Sequence, residues 1–158
     1  MPTSSADFRL ERFLPYLVHR VGTRFEEGYG ERFDWSGVSL QEWRVLSVLT
    51  EAGALPMGEI AKRTSINAST LTRIIGQMEK RGLLARERPS GNQRTVYVRL
   101  LAEGRRKAEE IIPKIVEYER DLSACFSQAE IETLKSLLVR LYRSASDDDA
   151  PEQDRLAG

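Results

Sequence analysis

A chain of 158 residues, 41% hydrophobic and 30% charged, has ordinary globular composition and room for one compact domain with a short extra arm, not for two large independent ones. Its one cysteine, Cys125, and one histidine, His19, exclude an internal disulfide and make a His/Cys metal site improbable, and no stretch approaches the roughly 18 apolar residues of a membrane span. The formal net charge is zero, yet residues 57–107 hold twelve Lys and Arg against four Asp and Glu, as expected of a subdomain that faces phosphates between arms that face something else.

A solvated charged face is the plainer account of that segregation. The start of the chain shows no basic segment followed by an apolar run, so a cytoplasmic location is expected.

The predicted elements are mostly helical. Leu10, Phe13, Leu14, Leu17, Val18, Val21 and Phe25 recur at three-and-four spacing and predict a long first helix with one apolar stripe. Residues 28–37, with glycines at 28, 30 and 37 and Asp34 before Trp35, lose that period and read as a connection. Ser39 opens a second helix: its hydroxyl can accept from the third helical amide while Glu42 reaches back to the Ser39 amide, a reciprocal capping box. Leu40, Trp43, Leu46 and Leu49 follow, and Gly53 ends the helix. A shorter helix is expected over residues 57–63, after Pro56, with Ile60 and Ala61 inward and a turn at Thr64, Ser65 and Ile66.

The segment NASTLTRIIGQMEKRGLL, residues 67–84, reads as one helix capped by Asn67 and stopped at Gly82. Leu71, Ile74, Ile75 and Met78 share a face, which turns Ser69, Arg73, Gly76, Gln77 and Lys80 outward on a side without an acidic residue. Small hydroxyls at Ser69, Thr70 and Thr72 with an amide cap at the start, then Arg73 and Gln77 one turn apart, suit the major groove of duplex DNA. An ordinary amphipathic surface helix is the alternative; the short helix and tight turn directly before it favour DNA.

Residues 85–88 and 95–100 are short extended runs around Pro89, Ser90, Gly91 and Asn92, and a hairpin in that place is a wing. Val96, Val98 and Leu100 alternate with Thr95, Tyr97 and Arg99, so one face packs inward. Arg86, Arg88, Arg94 and Arg99 surround the loop. Arg94, nearest the tip, is best placed to enter a minor groove, with Arg86, Arg88 and Arg99 further candidates; edge-strand solubility is the other account of these charges.

Beyond residue 101, Ala108, Ile111, Ile112, Ile115, Val116, Leu122 and Phe126 form another stripe, and Pro113 is expected to divide the helix into two segments at a bend. Cys125 falls on the apolar side with Leu122 and is expected to be buried. Ser127 and Glu130 repeat the capping box before a last helix lined by Ile131, Leu134, Leu137, Leu138 and Leu141. From residue 144 the sequence SASDDDAPEQDRLAG is acidic and is expected to be disordered. The outer helices carry more apolar surface than a small core can cover. Leu10, Phe13, Leu14, Leu17, Leu134, Leu138 and Leu141 are therefore expected to bury one another across a homodimer, setting two recognition helices roughly 34 Å apart on a palindrome. A monomer with a self-contained helical extension is the alternative.

The order of elements, with LQEWRVLSVL, MGEIAKRTSINASTLTRIIGQMEKRGLLARE and GNQRTVYVRLLAEG, resembles the MarR family of bacterial regulators over about residues 8–142. The resemblance implies a mainly α fold with a small β-hairpin wing (α+β), a winged helix-turn-helix core with helical dimerisation arms. Residues 1–38 would form the first arm, 39–101 the DNA-binding lobe, 102–143 the second arm and 144–158 the tail. It implies a homodimeric, sequence-specific duplex-DNA-binding regulator, usually a repressor of a palindromic operator, released in many members by a small phenolic or other anionic ligand. Thr72 and Arg73 match the family's Thr-Arg pair and Arg94 its wing arginine, whereas Asn92 stands where the family usually has Asp.

For such a ligand, Arg24 at the edge of the first stripe is a candidate carboxylate holder, with Trp43 and Tyr118 as aromatic walls. Each has a plainer account, as a surface ion pair, a core residue and a helix-packing residue respectively. His19 points away from the stripe and reads as solvated or interfacial. The sequence has no phosphate-binding glycine loop, no paired metal ligands and no histidine near the cysteine, so neither an enzyme nor a cofactor is expected. The rival is a winged helix used only for protein contacts.

Overall fold

The computed structural model describes residues 8–88 and 95–146. Among them the helices are α1 Leu14–Phe33, α2 Leu40–Ala52, α3 Met57–Thr64, α4 Ala68–Lys80, α5 Ala102–Leu122 and α6 Gln128–Ala145. Strands β1 Leu55–Pro56, β2 Leu84–Glu87 and β3 Tyr97–Leu100 form an antiparallel sheet in the order β1-β3-β2. The chain divides into two compact units at Pro113. No helix among the described residues is long and apolar enough to cross a membrane.

The core of the first unit joins Val45, Leu46 and Leu49 of α2, Ile60 of α3 and Leu71, Ile74, Ile75 and Met78 of α4 to Leu84, Val98 and Leu100 of the sheet. The helical residues recur at three-and-four spacing, so each helix offers one continuous apolar face. In β3, Val98 and Leu100 are buried while Tyr97 and Arg99 are half-buried, the expected alternation. The strand β1 has no counterpart in the sequence reading. Its Pro56 lies opposite Tyr97 at the edge of the sheet, where a residue without an amide hydrogen is tolerated.

The expected connection over residues 28–37 is largely helix, since α1 continues to Phe33. Gly28 and Gly30 each cost about 1 kcal/mol of helix propensity, which the burial of Tyr29 and Phe33 outweighs. These rings stack one turn apart, with centroids 4.7 Å apart. At the other end, Leu10–Arg12 is a 3-10 turn and Phe13 is extended, so the α-helix itself starts at Leu14. The stripe from Leu10 to Phe25 is exposed on the protomer.

Helix α5 starts against the sheet. The Leu101 amide donates to the Leu83 carbonyl at 3.0 Å, and a Cβ on Gly104 would lie 2.0 Å from that same oxygen. Only glycine fits there. The expected break at Pro113 does not occur: α5 is one uninterrupted helix containing the proline. The carbonyl deprived of a donor belongs to Glu109, an exposed residue that water can serve.

In the second unit the Ser127 amide donates to Glu130 Oε2 at 2.8 Å and the Glu130 amide to Ser127 Oγ at 3.4 Å, the predicted capping box of α6. The Ser127 amide, and secondly the Ser127 hydroxyl, which donates to the same Oε2 at 2.8 Å, hold the Glu130 carboxyl below its ordinary pKa. Lys135 on α6 pairs with Glu119 on α5 at 2.7 Å. Cys125 is exposed, not buried as expected. It lies in the turn after α5, where the helical period that set it beside Leu122 no longer applies. Leu134, Leu137, Leu138, Leu141 and Tyr142 are exposed along α6. Of the segment 144–158 expected to be disordered, Ser144 and Ala145 are the last residues of α6, and residues 147–158 lie outside the described residues.

Candidate nucleic-acid interface

Helices α3 and α4 meet at a turn made by Ser65, the one described non-glycine residue with positive φ, at 55°. Its amide donates to Lys62 O at 3.4 Å and the Ile66 amide to Ala61 O at 3.3 Å, closing α3 with a left-handed residue. Ile66 is buried and pins the turn to the core. Asn67 then caps α4: its Oδ1 accepts from the Thr70 amide at 2.9 Å and from Ser69 Oγ at 2.8 Å.

With Leu71, Ile74, Ile75 and Met78 buried, Asn67, Ser69, Thr72, Arg73, Gln77 and Lys80 are exposed and Thr70 is half-buried. The one acidic side chain of α4, Glu79, is paired with Arg86, which leaves Arg73 and Lys80 as the charges of the exposed face. Thr72 Oγ1 donates to Ala68 O at 2.8 Å, and Arg73 Nη1 donates to Gln77 Oε1 at 3.1 Å. Such a face, cationic and rich in polar hydrogens and lone pairs, has the chemistry of a base-edge and phosphate reader.

Two arginines hold α4 in place: Arg81, which sequence reasoning did not assign, and Arg86, which it weighed as a groove contact. Arg81 follows its last residue, donates from Nη1 to Glu42 Oε1 at 2.7 Å and from Nη2 to Gly37 O at 2.6 Å. The Glu42 side chain is only 10% exposed, and its Oε2 accepts the Ser39 amide at 2.9 Å. One carboxylate therefore completes the predicted cap of α2 and anchors the far end of α4. Burial, and secondly the Glu42 charge, push the Tyr29 phenol up to about 12; its hydroxyl donates to Val38 O at 3.2 Å.

Arg86, in β2, lies over α4. It pairs with Glu79 at 3.1 Å and donates from Nη2 to the Thr72 carbonyl at 3.4 Å. Its guanidinium is thus engaged in fastening strand to helix. Arg99 pairs with Glu87 on the adjacent strand. A cation just after a helix end and a cation in a strand were visible in the sequence, but their partners lie in other elements. Arg88 is exposed at the end of β2. Arg94 and Asn92 fall within residues 89–94, outside the described residues.

The effector candidates lie on three different helices. Arg24 is exposed and pairs with Glu27 on its own helix at 2.9 Å, and the groove it shares is lined by α1 alone. Trp43 is half-buried in α2. Tyr118, in the second unit, is buried. His19 is exposed on α1. Among the described residues no cluster of His, Cys, Asp and Glu is arranged to hold a metal ion.

The sequence model of the MarR family matches residues 38–96. The chain is similar to the HTH-type transcriptional regulator FarR of Neisseria gonorrhoeae, with 33% identity covering 90% of this chain and 95% of the relative. It is similar to the homoprotocatechuate degradative operon repressor of Escherichia coli, with 32% identity over 62% of this chain and 66% of the repressor. Among solved structures, NadR in complex with 4-hydroxyphenylacetate superposes with a TM-score of 0.75 at 28% identity, covering 89% of this chain and 97% of NadR.

Proposed function

This chain belongs to the MarR family of winged helix-turn-helix transcription regulators, and we propose that it acts as a homodimeric repressor of a palindromic operator. The cationic outer face of α4 carries the reading. A rigid helix, capped by Asn67 and braced by Arg81 and Arg86, presents Ser69, Thr72, Arg73, Gln77 and Lys80 together. In this reading residues 39–101 are the DNA-binding lobe, with Thr70 and Arg88 reaching the backbone and Arg94 a groove from the wing.

The second part of the proposal is the dimer. Leu10, Phe13, Leu14 and Leu17 in the first unit and Leu134, Leu138 and Leu141 in the second are each between 39% and 53% exposed on the protomer. So much exposed apolar side chain on the helices of each unit marks an association surface. A twofold copy covers it and sets paired recognition helices for two half-sites.

The third part is an aromatic acid as effector, drawn from the 4-hydroxyphenylacetate bound by NadR. Selection on random duplexes, followed by anisotropy titration of the winner at several salt concentrations, tests the first claim. A palindrome bound with nanomolar-range affinity and a steep salt slope is expected. Weak binding indifferent to sequence would overturn it. Adding 4-hydroxyphenylacetate and related phenolic acids to the same titration tests the effector: release is expected, and unchanged binding with every acid would remove that part.

A further inference from the structure

We propose that the bend Ser36–Gly37–Val38 is the joint that sets the recognition helix for DNA, with Arg81 and Lys107 as its positioning residues, an inference that rests on the DNA-binding reading above and adds how α4 is held. Three consecutive carbonyls of the bend are each taken by a side chain from a different part of the first unit. Ser36 O accepts from Lys107 Nζ of α5 at 2.9 Å, Gly37 O from Arg81 Nη2 beyond the end of α4 at 2.6 Å, and Val38 O from the Tyr29 hydroxyl of α1 at 3.2 Å.

The local backbone explains this divergence. Ser36 closes a 3-10 turn, Gly37 is left-handed with φ 63°, and Ser39 is already extended as the cap of α2. In a helix successive carbonyls point along one axis and are used by amides of the same helix. A left-handed residue turns the next peptide away, so the carbonyls here need donors from outside. The bend itself is stiff: Ser36 Oγ donates to Phe33 O at 2.7 Å and accepts the Val38 amide at 3.1 Å, and Ser36 and Val38 are buried.

Both cations are engaged as braces. The Lys107 side chain is only 20% exposed, which withdraws it from phosphates. It lies one turn beyond Gly104, on the same side of α5, so that α5 meets Leu83, just past α4, and the bend together. Arg81 holds the bend with one nitrogen and Glu42 with the other. Removing either brace leaves every side chain on the outer face of α4 in place and alters only where that face stands.

The test uses the full chain, the duplex that the wild type selects from a random pool and a scrambled duplex of equal length. Anisotropy titrations are run at several salt concentrations, with circular dichroism to show that each variant is folded at the temperature used. Lys107→Met and Arg81→Met are each expected to weaken binding to the selected duplex about tenfold and to leave the scrambled duplex and the salt slope unchanged. Lys107→Arg, which keeps a donor, is expected to bind as wild type does, and Arg81→Lys, able to reach one acceptor of two, to fall between wild type and Arg81→Met. Because both braces act on one segment, the double Met variant is expected to lose little more than Arg81→Met alone. Should Lys107→Met fail to fold, the Arg81 series decides alone. Losses that multiply in the double variant, or that fall equally on both duplexes with a slope lower by about 0.9, overturn the proposal, as do Met variants that bind like wild type. Those outcomes leave DNA reading itself standing, whereas a wild-type protein that selects no motif removes both.

Discussion

Substituting Gly104 with alanine isolates the contact that seats α5 on the DNA-binding lobe. The new methyl carbon would lie 2.0 Å from Leu83 O, 3.0 Å from Leu83 C and 3.3 Å from Leu100 Cδ2. Two of these atoms are backbone, so no rotamer change relieves the overlap, and α5 must retreat by about 1.4 Å to reach an ordinary contact. That retreat stretches the Leu101 N–H to Leu83 O bond, now 3.0 Å. Overpacking costs about 1–3 kcal/mol and the weakened bond about 1 kcal/mol, while alanine regains about 1 kcal/mol of helix propensity. The net is a loss of about 2 kcal/mol, or roughly 5 °C in Tm for a chain of this size. The same change at Gly30, a helical position with nothing within 4 Å of the added carbon, should instead stabilise by about 0.5–1 kcal/mol. Thermal and urea unfolding followed by circular dichroism measure both. A Gly104→Ala protein at or above the wild-type Tm would refute the steric argument, and a Gly30→Ala protein that melts lower would refute the propensity argument.

Three other outcomes follow from the geometry. Lys80→Ala should weaken binding by a similar factor on every duplex and reduce the salt slope by about 0.9 in log units; loss confined to one base sequence would make Lys80 a base reader instead. Replacing Leu138 and Leu141 together with aspartate should convert the dimer to a monomer, and sedimentation as a dimer at micromolar concentration would place the interface elsewhere. The Tyr29 phenol sits at about 12 in the fold because of burial and then the Glu42 charge, against about 10 when unfolded. Its contribution is therefore full below pH 10 and is lost at about 1.4 kcal/mol per pH unit between pH 10 and 12. Tyr29→Phe should unfold less steeply over that window, and an identical alkaline profile would show that another group controls it.

What the sequence disclosed was local. The capping residues Ser39, Asn67 and Ser127 and the stop at Gly53 act on amides and carbonyls a few positions away, and the buried face of α4 follows from one helical period. Both strands of the hairpin were readable for the same reason. What stayed hidden depends on partners far along the chain. Glu42 and Arg81 are 39 residues apart, and the need for glycine at 104 arises from Leu83. Gly28 and Gly30 were legible as breakers only because Tyr29 and Phe33 gave no sign, on their own, of being buried as a stacked pair. Cys125 shows the reverse error, a helical period extended past the end of its helix.

The divided carboxylate of Glu42 bears on how this scaffold could be re-engineered. Its two oxygens serve two donors at once, the Ser39 amide and the Arg81 guanidinium. Glutamine would set hydrogens against one of them, and aspartate is too short to span both. A recognition helix transplanted here to change target choice must therefore arrive with an arginine at 81, and the host must retain Ser39, Glu42 and the Gly37 carbonyl. These four positions form the socket into which any new reading head would plug.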